Sequence, residues 1–224
     1  MGTQTLELPV VVSIEGGIGV GKTTLISKLK GRLASLKGVV FVDEPVDEWM
    51  QNGLLQAMYS GALNTSTFQH MVLMSLAADL GKVVLFQQPT LIITERSPVS
   101  NYHVFAKENL NGVELDSYKF VWDRFMGVSP PGLESHYVYL DADANTLDAR
   151  MRDRNRSSED AVSREYMQAL EKRHKAWLAE ERNAHVVDAS GSGEEVLTGV
   201  ISKLKSVLSD SSRASELQCV IDAL

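Results

Sequence analysis

Residues 10–24 read VVVSIEGGIGVGKTT and join a run of β-branched residues to a glycine-rich loop. From Gly16 to Thr23 the loop fits the phosphate-binding pattern G-x-x-x-x-G-K-[ST]. The glycines let backbone amides point at phosphate oxygens, while Lys22 reaches the outer phosphates and the Thr23 hydroxyl ligates magnesium. The stretch therefore predicts a strand, a loop and a helix that bind ATP with Mg²⁺. The predicted ATP-binding residues here are Gly16, Gly17, Gly19, Gly21, Lys22, Thr23 and Thr24.

The length and composition are those of an ordinary globular protein. The chain has 224 residues and 24.6 kDa, which suggests one domain or one domain with a small appendage. Its net charge is −7, whereas proteins held on DNA or RNA by phosphate contacts normally carry an excess of basic residues. We therefore expect no nucleic-acid partner. The single cysteine, Cys219, excludes an internal disulfide framework and a cysteine-rich zinc site.

The sequence carries no recognisable targeting signal. Residues 1–8 contain no Arg or Lys and include Glu7, unlike a secretory signal or a mitochondrial transit peptide. We find no apolar run approaching the roughly 18 residues of a membrane helix. We therefore expect a cytoplasmic protein without a membrane partner.

Short apolar runs alternate with longer helical stretches along the chain. Each run is rich in β-branched or aromatic residues and apolar on both faces, which is typical of buried parallel strands. The pattern predicts an α/β fold of the doubly wound kind. The predicted strands are Pro9 to Ile14, Val39 to Val42, Leu91 to Thr94, Tyr137 to Leu140 and His185 to Val187.

The predicted helices differ in how many apolar neighbours they require. The first carries a single leucine stripe from Leu25 to Leu36. The stretch Phe68 to Phe86 is apolar nearly all round, so it needs the sheet and a second neighbour, either a second subunit or another part of the same chain.

The C-terminal region continues the helical pattern beyond a polar break. Ser192 and Glu195 form a capping box ahead of a helical stripe that ends at Leu208. After the polar residues 209–212, apolar residues recur at helical spacing up to Leu224. We expect a domain over 1–208 and a tail over 209–224 that forms a short amphipathic helix and docks on its own domain or on a partner.

Acidic residues follow three of the predicted strands, where ligands of parallel sheets bind. Asp43 and Glu44 follow the second strand, Glu95 the third, and Asp141 and Asp143 the fourth. The second strand with its Asp-Glu end also resembles ATPase motors, in which the Asp assists magnesium and the Glu orients water. A P-loop ATPase or regulatory nucleotide-binding module therefore remains an alternative. The absence of Asn-Lys-x-Asp argues against a GTPase switch.

Four arginines occupy alternate positions, at Arg150, Arg152, Arg154 and Arg156. On a helix this spacing spreads the side chains over both faces, whereas a solvated basic face places its charges three or four residues apart. Guanidinium groups that surround one point suit a transferring phosphoryl group, whose charge spreads over three oxygens. The alternative is an ordinary charged surface loop.

Taken together, these residues resemble the deoxyribonucleoside kinase family from about residue 10 to residue 190. The resemblance implies a P-loop nucleoside-kinase fold with a five-stranded parallel sheet, an arginine-rich lid at about 150–162, homodimers, and phosphate transfer from ATP to a deoxynucleoside 5′-hydroxyl. The motifs that carry it are Ile14-Glu15-Gly16 to Thr24, Glu44-Pro45-Val46 with Trp49, Met58-Tyr59, Phe68-Gln69, Glu95-Arg96-Ser97, and the arginine run with Glu159.

The resemblance implies catalytic roles for the acids and basic residues around the phosphate loop. Glu44 is similar to the general base facing the 5′-hydroxyl, with Arg96 beside it and Lys22 on the phosphates. Glu95, together with Thr23, is similar to the magnesium site. A carboxylate is a weak base for an alcohol, but phosphoryl transfer is largely dissociative, so positioning matters more than full deprotonation.

Further roles concern the nucleoside and the lid. Trp49 and Phe105 resemble the aromatic walls of the base pocket, although either residue could be plain core. Tyr59 and Glu159 resemble the pair that holds the sugar 3′-hydroxyl, and Gln69 resembles the residue whose amide reads the base edge. In the lid, Arg152, Arg154 and Arg156 are similar to phosphate clamps and Arg150 to the residue over adenine.

The sequence departs from the family at the base pocket and in the lid. Cytidine- and guanosine-preferring members carry an Arg–Asp pair where this chain has Leu76 and Asn101. Thymidine-accepting relatives also lack that pair, so we expect pyrimidine deoxynucleosides including thymidine, with Asn101 among the substrate-binding residues. Because 157–160 replaces a double glutamate, Asp160 competes with Glu159 for the sugar.

The nearest enzymatic alternative is a nucleoside monophosphate kinase such as a thymidylate kinase. Its acceptor already carries a phosphate and would favour a basic residue near Glu44. The sequence has Asp43, Asp47 and Glu48 there instead, and like charges repel. The sequence therefore favours a deoxynucleoside kinase of nucleotide salvage.

Overall fold

The structure is a computed structural model that describes residues 8–126, 133–154 and 162–224, the side chains of 153 and 154 excepted. Five parallel strands form one sheet in the order β2-β3-β1-β4-β5, which confirms the predicted α/β fold. The strands are β1 Val10–Gly16, β2 Val39–Val42, β3 Leu91–Glu95, β4 Glu134–Asp141 and β5 Ala184–Asp188.

Helices cover both faces of the sheet. A π-helical turn, Asn101–Ala106, interrupts the chain after β3, and such turns occur frequently at functional sites. The α-helices are α1 Lys22–Leu33, α2 Val46–Gln51, α3 Leu54–Tyr59, α4 Thr65–Gln87, α5 Pro98–Ser100, α6 Lys107–Asn109, α7 Gly112–Met126, α8 Ala144–Arg154, α9 Arg164–Leu178, α10 Gly193–Asp210 and α11 Ala214–Ala223.

The central strand β1 is buried along its whole length. Its even-numbered residues Val10 to Ile14 join the core beneath α1, α10 and α11, while Val11 faces the side covered by α4. Strands β3 and β4 pair with β1 on either side, and Ile14 lies in register with both Glu95 and Val138. This arrangement brings the phosphate loop and the end of β3 together at one edge of the sheet, where α/β proteins bind ligands.

The C-terminal residues belong to the main core. Leu217 and Val220 of α11 are buried in the same cluster as the helices α1 and α10, and Arg32 Nη1 donates to the backbone oxygen of Leu224 at 3.3 Å. Helix α10 starts with the predicted capping box of Ser192 and Glu195 and runs beyond residue 208. Residues 209–224 therefore dock on their own domain, the first of the two possibilities open from the sequence.

Helix α4 contains and extends the predicted apolar stretch. The helix is long and apolar enough by composition to cross a membrane, with a mean hydropathy of 1.3 over its test window. The sequence-based expectation that no apolar stretch approaches the length of a membrane helix is thus wrong for α4. This helix contains too few charged residues to bring its mean hydropathy below that of a membrane helix. Leu73 and Leu76 nevertheless pack inside the fold, whereas Leu85 and Phe86 are exposed. Core helices of globular proteins show the same composition.

Candidate active site

A cavity of about 250 Å³ opens at the carboxyl ends of β1, β2 and β3. It brings together residues predicted for the phosphates, the metal, the catalytic step and the base, although they are scattered over more than eighty positions of the chain. The predicted residues that line it are Gly19, Gly21, Lys22, Thr23, Glu44, Trp49, Tyr59, Gln69, Glu95, Arg96, Asn101 and Phe105.

Hydrogen bonds from Lys22 and the close approach of Met151 fix the shape of the phosphate loop. Lys22 Nζ donates to the backbone oxygens of Gly16 and Gly17, each at 3.3 Å. Gly19 has a φ of +83°, and a Cβ there would lie 2.7 Å from the side chain of Met151, so only glycine fits. Burial, reinforced by the charge of Arg96, lowers the pKa of Lys22 to about 8. A negatively charged ligand bound to this loop would therefore stabilise the charged form of Lys22.

Thr23 and Glu95 form a pair of oxygen donors beside the loop. The Thr23 hydroxyl donates to Glu95 Oε1 at 2.9 Å, and Glu95 is buried at the end of β3. Burial raises the pKa of Glu95, while the nearby charge of Lys22 lowers it. Mg²⁺ in phosphate-transfer sites is bound by one or two protein oxygens together with substrate phosphates and water. The donor set fits magnesium in this role, and among the described residues no cluster of three acidic, histidine or cysteine ligands offers another site.

Glu44 and Arg96 form a nearly buried ion pair in the same cavity as Lys22. Arg96 Nε donates to Glu44 Oε1 at 2.8 Å, and the two side chains are 4% and 11% exposed. The Arg96 guanidinium also lies 4.3 Å above the ring centre of Phe105. Arg96 therefore pairs with Glu44 rather than with its neighbour Glu95.

Arg96 has an unusual backbone conformation that directs its side chain. Its φ of +66° lies in the left-handed region, which non-glycine residues rarely adopt. Two consecutive amides of this turn are fixed by β1: Arg96 N donates to Ile14 O at 3.1 Å, and Ser97 N donates to Glu15 Oε1 at 2.9 Å. The conformation required for Arg96 to reach Glu44 is thus maintained by the strand that precedes the phosphate loop.

Sequence reasoning did not assign a role to Glu15. Its carboxyl group is completely buried, and burial raises its pKa even though the charge of Arg96 opposes that shift. The available signal was a carboxylate at the end of an otherwise apolar strand, because a buried charged group needs a partner. Its position next to Gly16 and its bond to Ser97 link the phosphate loop to the Arg96 turn.

Aromatic and amide side chains form the far end of the cavity. Trp49 packs edge-on against Phe68 with ring centres 5.8 Å apart, and both line the cavity. Gln69 and Asn101 are buried and joined by a hydrogen bond from Asn101 Nδ2 to Gln69 Oε1 at 3.1 Å. This end combines flat apolar walls with amide groups, as a pocket for a heterocyclic base requires.

Near this end of the cavity lie one residue that the sequence analysis considered and three to which it assigned no role. Leu76 is buried with Trp49 and Phe68 and does not line the cavity. Phe68, Val72 and Tyr166 line it, although sequence reasoning assigned them no role in the site. Their apolar helix positions gave no signal that could separate them from core residues.

The predicted lid arginines do not act as one group in the described part of the chain. Arg150 donates from Nη1 to Ala189 O at 2.8 Å and from Nη2 to Gly191 O at 2.9 Å. Arg152 is exposed and pairs with Asp148 on its own helix at 2.8 Å. The remaining members of this prediction, the side chain of Arg154 and residues Arg156, Glu159 and Asp160, lie outside the described residues. Their roles remain predictions.

Three loop residues predicted to bind ATP, Gly16, Gly17 and Thr24, do not line the cavity. Gly16 and Gly17 contribute their backbone oxygens to Lys22, and Thr24 is exposed at the start of α1.

The sequence model of the deoxynucleoside kinase family matches residues 12–209, almost the whole chain. The chain belongs to the deoxynucleoside kinase family. This kinase is 33% identical to the thymidine kinase of Ictalurid herpesvirus 1 (strain Auburn), over 85% of this chain and 84% of that one. It is 30% identical to the deoxycytidine kinase of Homo sapiens, over 75% and 74% of the two chains.

A solved structure shares the fold of this kinase. It is a deoxyadenosine kinase from M. mycoides, determined with the product dCMP and a flexible dCDP bound. The TM-score is 0.71 at 22% sequence identity, and the match covers 88% of this chain and 100% of the other. As a member of the family, the protein is an ATP-dependent phosphotransferase.

Proposed function

We propose that this kinase transfers the γ-phosphoryl group of ATP to the 5′-hydroxyl of a pyrimidine deoxynucleoside, thymidine included, in nucleotide salvage. The Glu44–Arg96 pair carries this proposal, because it lies in the same cavity as Lys22 and Thr23 on one side and Gln69 on the other. A triphosphate on the loop and a base at Gln69 would place the sugar alcohol between them, next to Glu44.

The residues divide the chemical step among them. The loop amides and Lys22 hold the β- and γ-phosphates, and Arg96 stabilises the charge that develops on the transferred group. A bond forms between the 5′-oxygen and the γ-phosphorus while the bond from that phosphorus to the β–γ bridging oxygen breaks. Glu44 accepts the proton of the 5′-hydroxyl, and ADP leaves. Thr23 and Glu95 would hold Mg²⁺, which would supply positive charge to neutralise the phosphates.

The acceptor pocket holds the nucleoside through shape and a few polar contacts. We assign Trp49 and Phe105 to the faces of the base, Gln69 to its polar edge, and Tyr59 with Glu159 to the sugar 3′-hydroxyl. A base lacking the matching edge would leave buried amides unpaired, at about 1–3 kcal/mol per group. We retain thymidine because Leu76 and Asn101 do not supply an Arg–Asp pair, and a relative is a thymidine kinase.

The alternative of a thymidylate kinase is disfavoured by the charges near Glu44. Asp43 and Asp47 also line the cavity, and they would repel an acceptor that already carries a phosphate. Asp43 pairs with Lys30 at the surface, which disfavours it as the magnesium ligand of the ATPase alternative. Glu95, from the strand next to β1, lies beside Thr23 instead.

The test is a side-by-side assay of thymidine, deoxycytidine, deoxyadenosine, deoxyguanosine and thymidylate with ATP and Mg²⁺. We expect ATP consumption only with an added nucleoside, and the largest kcat/KM among the pyrimidine deoxynucleosides. A Lys22→Met variant serves as the control for contaminating kinases. Rapid ATP hydrolysis without any acceptor would favour the ATPase alternative, and preferred phosphorylation of thymidylate would favour the monophosphate kinase.

We further propose that the kinase is a cytoplasmic homodimer. Helices α4 and α7 pack together and expose large apolar side chains, among them Met74 at 48% and Phe120 at 58%. A second copy of this surface would cover these exposed apolar side chains.

A further inference from the structure

Glu15 connects the phosphate loop to the turn that carries Arg96, although it does not line the cavity. Its side chain is completely buried, and its backbone is fixed because Glu15 pairs in register with Tyr139 in the parallel ladder of β1 and β4. The next residue, Gly16, begins the loop. A buried carboxyl group is costly unless it accepts hydrogen bonds, so its contacts indicate what it does.

The contact that Glu15 makes holds the backbone of Ser97. Glu15 Oε1 accepts a hydrogen bond from Ser97 N at 2.9 Å. The Ser97 hydroxyl accepts from Ser100 N, and the Ser97 backbone oxygen accepts from the Ser100 hydroxyl, each at 3.0 Å. The two contacts with Ser100 belong to the cap of the short helix α5, whereas the contact with Glu15 joins Ser97 to the central strand.

Arg96 directly precedes this amide, and its backbone lies between two bonds to β1. Arg96 N donates to Ile14 O at 3.1 Å, and the next amide donates to Glu15 Oε1. A φ of +66° is unfavourable for a residue with a side chain and persists only where its surroundings impose it. Without the acceptor on Glu15, the Ser97 amide would be free to turn and Arg96 could relax to the right-handed region.

The left-handed conformation directs the guanidinium group of Arg96 into the cavity. There Arg96 Nε donates to Glu44 Oε1 at 2.8 Å, and the guanidinium lies 4.3 Å above the ring centre of Phe105. In the right-handed region the Cα–Cβ bond of Arg96 would leave the backbone in another direction, so both contacts would be lost or distorted. A displacement of about 1 Å at a reacting group can lower a rate about 100-fold.

We propose that Glu15 is a positioning residue for phosphoryl transfer, because its carboxyl oxygen fixes the Ser97 amide and thereby the backbone conformation that directs Arg96 toward the transferred group. The inference rests on the proposed function, since it uses the role assigned there to Arg96. Both the neutral and the ionised carboxyl group carry an oxygen that accepts a hydrogen bond. The role therefore requires an acceptor rather than a charge, and a carboxamide should replace the carboxyl group.

The experiment measures kcat and both KM values in the full-length wild type, Glu15→Met and Glu15→Gln, with the nucleoside that the wild type phosphorylates fastest. Glu15→Met keeps an unbranched side chain but removes the acceptor. We expect its kcat to fall about tenfold or more and its ATP KM to change less than about twofold, because the phosphate loop and Lys22 are intact. Glu15→Gln keeps an oxygen for Ser97 N and should retain kcat within about threefold of the wild type.

Ser13→Ala is the matched control on the same strand. Ser13 is buried two residues before Glu15 and accepts from the Thr94 hydroxyl of β3 at 2.9 Å. Its substitution removes a buried contact between β1 and β3 without changing the Arg96 turn, and should leave kcat unchanged. Glu15→Asp is a second test variant, whose carboxylate is withdrawn from Ser97 N by one methylene group. We expect its kcat to lie between those of Glu15→Met and the wild type.

Several results would overturn the inference. A Glu15→Met variant with native circular dichroism and wild-type kcat would do so, as would a Glu15→Gln variant that loses as much kcat as Glu15→Met. An equal loss in Ser13→Ala would show that the effect comes from general loosening of the sheet. If Glu15→Met does not fold, Glu15→Asp decides, and an undiminished kcat in that variant overturns the role.

The same assays separate this inference from the proposed function. A wild type that phosphorylates no nucleoside would remove the proposed function and this inference with it. An active wild type together with an unaffected Glu15→Met variant would remove only the role of Glu15.

Discussion

Arg96 Nε and Glu44 Oε1 lie 2.8 Å apart although 52 positions separate the two residues in the chain. Each residue follows a strand of the same parallel sheet, Glu44 after β2 and Arg96 after β3, and these strands are neighbours. The contact places a carboxylate and a guanidinium group side by side in the cavity that the phosphate loop also lines. A charge-assisted bond of this kind orients both groups before a substrate enters.

The first prediction concerns Glu44 as the proton acceptor. Glu44→Gln should reduce turnover by more than about 100-fold, because the amide cannot accept the proton of the 5′-hydroxyl. ATP affinity should remain nearly unchanged, since Glu44 does not belong to the phosphate loop. Steady-state kinetics and calorimetric titration with ATP provide the two measurements. Glu48→Gln, an exposed neighbour outside the cavity lining, is the matched control and should retain full activity. An equally active Glu44→Gln would remove Glu44 from the mechanism.

The second prediction concerns the protonation of Lys22. Burial lowers the pKa of Lys22 to about 8, so at pH 8 a large fraction of Lys22 is neutral before ATP binds. A triphosphate favours the charged form, and ATP binding at pH 8 should therefore take up a proton. Calorimetric titration in two buffers of different ionisation enthalpy measures this uptake. Lys22→Arg, whose guanidinium stays charged at this pH, should show none. Equal uptake in both proteins would contradict the prediction.

The third prediction concerns the buried carboxyl group of Glu15. Burial raises its pKa above the ordinary value of 4.5, so the folded protein binds this proton more tightly than the unfolded chain. The carboxyl group therefore destabilises the fold increasingly as the pH rises above that value. Glu15→Gln keeps an acceptor for Ser97 N and should be more stable than the wild type at neutral pH, with no advantage below about pH 4.5.

Thermal unfolding of the two proteins between pH 4 and pH 8 tests the Glu15 prediction. Glu216→Gln is a control of opposite sign, because the bond from Arg213 lowers the pKa of the exposed Glu216. That variant should lose a little stability at neutral pH. A Glu15→Gln protein less stable than the wild type at pH 7 would show that the ionised carboxylate stabilises the fold.

The fourth prediction concerns Gln69 as a residue that contacts the nucleoside and not ATP. Gln69→Ala should raise the nucleoside KM more than the ATP KM, because we assign its amide to the base edge and Gln69 is not part of the phosphate loop. Initial-rate kinetics with each substrate varied in turn measure the two constants. Gln56→Ala, an exposed helical position outside the cavity, should change neither. If both constants rise together in Gln69→Ala, the residue serves packing.

The fifth prediction concerns assembly. Light scattering coupled to gel filtration should give twice the chain mass of 24.6 kDa for the wild type. Phe120→Asp should give a monomer, because a carboxylate on the apolar α4–α7 surface opposes its burial in an interface. Val186→Asp, at an exposed apolar position on β5, is the control and should remain dimeric. A monomeric wild type, or a dimeric Phe120→Asp, would contradict the proposed interface.

The sequence by itself determined the features that depend on short stretches of chain. The glycine pattern before Lys22 predicted the phosphate loop, and β-branched runs predicted the five strands to within a few residues, because both signals arise from neighbouring residues. The capping box of Ser192 and Glu195 is likewise local. The ordered set of motifs also identified the family.

The contacts between distant residues depend on the tertiary structure. The family resemblance implied that Arg96 lies beside Glu44 and Glu95 beside Thr23, but the hydrogen bonds themselves form because the order and register of the strands bring these ends together. The contact from Tyr118 to Asn101 depends on how α7 packs against the π-helical turn. Such contacts are set by long-range packing, in which one residue type meets different partners in different folds, so no local pattern encodes them.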